Sequence, residues 1–88
     1  MINLINYSLG EDDIEFIGRI NEDIQNQNEI VLQYQNNAFC IDPSGEELTV
    51  TDYTGTVGEY VGFDDLFLNH IINNKPLIEL VQELEYGE

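Results

Sequence analysis

The chain has 88 residues and a formal net charge of −16, from 18 aspartates and glutamates against Arg19 and Lys75. Two cations cannot form a basic patch, which argues against direct binding to nucleic acid or to an anionic membrane surface. The hydrophobic fraction is 42% and its residues are periodic, which excludes a disordered acidic tail and points to one domain, residues 1–88, with a single core.

Cys40 is the single cysteine, so no internal disulfide is available and the cytoplasm is the simplest compartment. Met1–Leu9 lacks a basic start and a long apolar core, so no signal peptide is expected. No apolar run approaches the length of a membrane span.

In chain order, Ile2–Tyr7 fits either an edge strand or an irregular lead-in. Ser8-Leu9-Gly10-Glu11 matches the S-x-x-E capping box, which satisfies free amide hydrogens at a helix start. Asp12 and Asp13 follow, where the helix dipole favours negative charge. Ile14, Ile17, Ile20 and Ile24 recur at helical spacing with Phe16 beside them, and predict a helix from about Glu11 to Gln25. Gly18 either permits close approach to a sheet or simply costs up to about 1 kcal/mol relative to Ala. Glu11, Asp12, Glu15, Glu22 and Asp23 form an acidic wet side.

The stretch Glu29–Asp42 reads as a β-hairpin closed at Asn36-Asn37, because Asn tolerates the positive φ that a type I′ turn needs twice. That turn pairs Leu32 with Ile41 and Tyr34 with Phe39. It puts Ile30, Leu32, Tyr34, Phe39 and Ile41 on one face, and Val31, Gln33, Gln35, Ala38, Cys40 and Asp42 on the other. With Pro43–Glu46 as a four-residue loop, Ile41 pairs with Leu48 and Phe39 with Val50. Leu48 and Val50 then join the dry face, and Thr49, Thr51 and Tyr53 the mixed one. Thr54–Gly62 carries either a short fourth strand around Thr56–Val61 or a loop; it matches no phosphate-binding motif.

Asp64 is a good N-cap, with Phe63 and Leu68 placed for a hydrophobic staple; this helix runs to about Ile72 and Asn73-Asn74 stops it. Pro76 suits the first turn of another helix. Leu77, Leu80, Val81 and Leu84 give that helix its apolar stripe, and Glu79, Gln82, Glu83 and Glu85 its wet side. The expected fold is α+β, of order α-β-β-β-α-α, with helices on one face of a three-stranded, or four-stranded, antiparallel sheet.

No catalytic set stands out. His70, the single histidine, has Asp64 and Asp65 within reach on its helix but no implied nucleophile, and reads as a partly exposed helix residue. Cys40 has almost no positive charge in the chain to stabilise a thiolate, and Cys40 with His70 is too small a set for zinc. The acid pairs Asp12-Asp13 and Asp64-Asp65 are explained by helix capping, and the calcium-loop pattern is absent. No enzyme activity, cofactor or metal is expected.

In general character (small and acidic, a small sheet with helices, no catalytic set) the chain resembles the phage and mobile-element proteins that inhibit DNA-binding enzymes by imitating nucleic acid, such as anti-CRISPR and anti-restriction proteins. The resemblance lies in composition and element order, and assigns no residue a role. It implies a non-enzymatic inhibitor that binds a basic protein partner. Two surfaces are candidates for the contact: the acidic side of the first helix (Glu11, Asp12, Glu15, Glu22, Asp23) and the mixed sheet face with Gln33, Thr49 and Tyr53. The alternative is an adaptor or assembly protein that forms a homodimer through its sheet face or edge.

Overall fold

The computed structural model describes residues 9–86. Ile2–Tyr7 and Ser8, with their expected strand and cap, lie outside the described residues. Helix α1 spans Glu11–Gln25, as the isoleucine spacing predicts. Its N-cap is Gly10 and not Ser8, and the carboxylate that reaches back is that of Asp13 and not Glu11: the Gly10 backbone N–H donates to it at 3.0 Å. Its end is a Schellman turn. Asn28 N–H donates to Asp23 O at 2.9 Å and Gln27 N–H to Ile24 O at 3.0 Å, with Gln27 at φ 60. Ile17, Ile20 and Ile24 are buried, whereas Ile14 is 45% exposed and falls off the core stripe.

Among the described residues five strands form one antiparallel sheet: β1 Ile30–Tyr34, β2 Asn37–Ser44, β3 Glu47–Asp52, β4 Gly55–Val61 and β7 Leu84–Tyr86, in the spatial order β4-β3-β2-β1-β7. The fourth strand is therefore real, and a fifth closes the far edge of β1. Between β4 and β7 lie α2 (Phe63–Asn69), a two-stranded ribbon of β5 (Ile71–Ile72) and β6 (Lys75–Pro76), a one-turn α3 (Leu77–Leu80) and a 3-10 turn, Val81–Glu83.

Both hairpin registers differ from expectation, and both by two residues. Leu32 pairs with Phe39 and Ile30 with Ile41; Ile41 pairs with Val50 and Pro43 with Leu48. The first turn is Gln35-Asn36, with positive φ at Gln35, so Asn37 enters β2 and Gln35 leaves the sheet face. The second turn contracts to Gly45-Glu46. Gly45 at φ 64 supplies the left-handed first position of a two-residue hairpin turn. The Gln27 side chain braces it: its Oε1 accepts from Gly45 N–H at 2.7 Å, and its Nε2 donates to Gly45 O at 3.0 Å. Pro43 lies beyond the last residue paired with β1, so its missing N–H breaks no ladder on that side.

A two-residue shift keeps every side chain on its face. Ile30, Leu32, Tyr34, Phe39, Ile41, Leu48 and Val50 are accordingly all buried, in one cluster with Ile17, Ile20, Ile24, Leu66, Phe67, Leu77, Ile78, Leu80, Val81 and Leu84.

The C-terminal expectations need correction. Gly62, at φ 88, precedes α2 as its N-cap in place of Asp64, and the helix ends at Asn69. Phe63 lies inside it and stacks on Phe67 at 4.5 Å, so the Phe63–Leu68 staple does not form. Asn73-Asn74 is a turn between β5 and β6 with φ 53 and 66, the double positive φ of a type I′ hairpin. The expected last helix is cut to the one turn of α3 and the 3-10 turn Val81–Glu83, with Leu77, Ile78, Leu80 and Val81 buried as its apolar face. Leu84–Tyr86 instead pairs with the open edge of β1.

Candidate functional site

The sequence-derived contact residues fall on three separate surfaces. Glu11, Asp12, Glu15 and Glu22 are exposed on the outer side of α1. Asp23 is half-buried and engaged: the Tyr86 hydroxyl donates to its carboxylate at 3.3 Å. The Arg19 guanidinium lies 4.6 Å from the centre of the Tyr86 ring, which breaks the acidic row with a cation. Burial first, and then the nearby Asp23 charge, raise the Tyr86 hydroxyl above its ordinary pKa.

Gln33 and Thr49 lie on the opposite layer, on the sheet face that no described helix covers. Register and alternation put side chains there in rows across strands: Thr56–Thr51–Cys40–Val31, Glu59–Thr49–Asp42, Val61–Glu47–Ser44 and Ala38–Gln33–Glu85. Adjacent strands are ~4.8 Å apart, so the Asp42 and Glu59 backbones stand about 10 Å apart across Thr49. Arg19 and Lys75 lie elsewhere, on α1 and β6, so this face bears carboxylates and no lysine or arginine. Cys40 is a free, half-buried thiol on it.

Tyr53 belongs to neither surface. Strand β3 ends at Asp52, and Tyr53 is 88% exposed at the tip of the β3–β4 turn. The Asp52 carboxylate holds that turn by accepting the Thr54 N–H at 2.7 Å and the Thr54 hydroxyl. These two bonds keep Asp52 below the ordinary carboxylate pKa.

Behind Tyr53 the structure forms a cleft of about 530 Å³ that the sequence did not suggest, lined by Phe39, Asp52, Val57, Tyr60, His70 and Ile71 among others. His70 is the one polar residue buried among those described. It terminates α2, with its backbone N–H on Leu66 O at 3.0 Å. Its Nδ1 shares a 2.8 Å hydrogen bond with the Tyr60 hydroxyl, and the two rings meet edge to face at 5.5 Å and 82°. Tyr60 reaches it by lying over Gly58, where an added Cβ would stand 2.6 Å from the ring. Burial lowers the His70 pKa, against the Asp52 charge, which raises it. Burial and the Asp65 charge raise that of Tyr60.

His70 is therefore an enclosed neutral imidazole rather than a partly exposed helix residue. Its side-chain hydrogen-bond partner is Tyr60 and Asp52 acts on it only through charge; Asp65 instead accepts from Val61 N–H at 2.9 Å and Asn69 Nδ2 at 2.6 Å. Among the described residues no cluster of three or more His, Cys, Asp or Glu could hold a metal ion, and no helix is long and apolar enough to cross a membrane. No protein-family model, no curated protein and no solved structure matches the chain.

Proposed function

We propose that the protein is a non-enzymatic interaction protein that binds a basic protein surface with the open face of its sheet, in the manner of an acidic nucleic-acid mimic occupying a DNA-binding groove. One observation carries this reading. Asp42, Glu47, Glu59 and Glu85 sit on four strands of a sheet face that no described helix covers and that bears no lysine or arginine, in a chain of net charge −16. Carboxylates spread over a flat face steer a basic partner from a distance. Val31, Val61 and the threonine methyls between them then supply apolar contact. The outer side of α1 supports the reading less well, because Arg19 lies among its acids.

The test is capture of partners from a native lysate at low and high salt, with the wild type, an Asp42→Asn/Glu59→Gln variant and a Glu15→Gln/Glu22→Gln variant. The expected result is a basic protein held at low salt, released at high salt, and lost from the sheet-face variant alone. A partner held equally at both salts, or lost only from the α1 variant, refutes the reading.

A second reading, self-association, is favoured by β4. It is a seven-residue strand at the edge of the sheet among the described residues, with Val57 and Val61 exposed, and such an edge favours pairing with a neighbour. The Asp65 carboxylate occupies the Val61 N–H, which shortens that edge, and two copies at −16 each repel. Solution mass at two protein concentrations separates the readings.

A further inference from the structure

The cleft behind Tyr53 is a better-formed site than either exposed acidic surface. Three segments distant in sequence build it: the start of β2, the β3–β4 hairpin and the α2–β5 corner. Tyr53, Val57 and Ile71 all line it, and they are 88%, 41% and 53% exposed. Apolar side chains left in water around one hollow mark it as a place for a ligand with apolar surface.

The polar lining narrows the class. The Asp52 carboxylate is the one acidic side chain in the lining, and no lysine or arginine joins it. Thr54 bonds only its Oδ1, and those bonds favour the ionised form. His70 is kept neutral by burial and has its Nδ1 engaged by Tyr60. An anion would meet Asp52 and the field of the whole chain; a cation is favoured by both. The Tyr53 ring, free at the mouth, offers the π-face that guanidinium and ammonium groups prefer.

We propose that this cleft binds a guanidinium or ammonium group carried on an apolar stem, with Asp52 as counter-ion, Tyr53 as the stacking surface, and Val57 and Ile71 receiving the stem. The group belongs either to a free small molecule or to a side chain of a protein partner; only the second source rests on the function proposed above.

The probe is N-acetyl-arginine amide, titrated into the full chain while backbone amide resonances are followed. N-acetyl-citrulline amide, of the same shape but uncharged, is the control. Saturable shifts are expected at Asp52, Tyr53, Val57 and Ile71, at least about tenfold weaker for the citrulline compound and for Asp52→Asn. Tyr53→Ala, at a position too exposed to disturb the fold, should weaken binding several-fold, and Glu22→Gln should leave it unchanged. Equal binding of the two compounds, no effect of Asp52→Asn, or non-saturating shifts spread over α1 and the open sheet face overturns the proposal. Asp52→Asn in the capture experiment then identifies the source: a lost partner means that its side chain fills the cleft, and a retained partner means a free cation. If capture shows no salt dependence while the arginine amide still saturates the cleft, the function reading fails and the cleft stands.

Discussion

Replacing Gly58 by Ala should destabilise the protein, although alanine suits a strand better than glycine. A Cβ at Gly58 would lie 2.6 Å from Cε2 and the hydroxyl oxygen of Tyr60 and 2.9 Å from its Cζ. Contacts that short force the ring to swing away. The swing breaks the 2.8 Å bond to His70 Nδ1 and the edge-to-face contact. A buried polar atom left without its partner costs about 1–3 kcal/mol, and the aromatic pair adds about 0.5–1.5 kcal/mol. Against this, leaving glycine in a strand interior regains roughly 0.5–1 kcal/mol. The net expectation is a loss of about 0.5–4 kcal/mol, at some 4–8 °C in Tm per kcal/mol for a chain of this size. Urea denaturation of wild type, Gly58→Ala, Tyr60→Ala and the double variant measures it. With Tyr60 already shortened, the new methyl meets nothing from that ring, so Gly58→Ala should be neutral or slightly stabilising in the Tyr60→Ala background. The reasoning is refuted if Gly58→Ala costs the same in both backgrounds, or costs nothing in the wild type.

Gly18→Ala should stabilise α1 by up to about 1 kcal/mol, because a Cβ there meets nothing within 4 Å; a loss in urea denaturation would show that the position is not free. Asn74→Gly should add about 0.5 kcal/mol by completing the Asn-Gly pair of a type I′ turn, and a lower midpoint would contradict the turn assignment. The His70 pKa lies below its ordinary value of 6.5, so between the two values the unfolded chain binds a proton that the folded chain does not. Stability contributed by neutral His70 is therefore complete above 6.5, falls as pH drops through that window, and levels off below the folded pKa. Denaturation across the window should show this slope in the wild type and not in His70→Gln, which also cancels the carboxylate background; equal slopes would mean that His70 is not held neutral.

The pattern that makes the fold legible also hides its register. Shifting either hairpin by two residues buries the same seven side chains, so alternation fixes the faces of β1, β2 and β3 but not the partners. Turn chemistry decides between the registers, and here local preference misleads. Asn36-Asn37 has the composition of a type I′ turn, yet the chain turns at Gln35-Asn36 with one positive φ. The same dipeptide at Asn73-Asn74, which reads as a helix stop, adopts two. Gly45 is the exception, since glycine in the first position of a two-residue loop is a local signal for the tighter turn that forms.

What stays unreadable is whatever depends on distant partners. Leu77, Leu80, Val81 and Leu84 have helical spacing, but the open edge of β1 competes for the same residues, and Leu84–Tyr86 pairs with Leu32–Tyr34 some fifty positions away. Such a pairing leaves no local trace. The cleft is the same case. Asp52 looks like a turn residue, Tyr60 like a strand aromatic and His70 like a helix surface residue, and each is so locally. Only the antiparallel return of β4 and the end of α2 at Asn69 bring them together. The one local hint is Gly58, two residues before Tyr60 on the same sheet face, where the missing side chain leaves room for the ring. Composition announces the acidic surface. The convergence of Asp52, Tyr60 and His70 on one cleft does not follow from composition, because it needs the tertiary return of β4 over the end of α2.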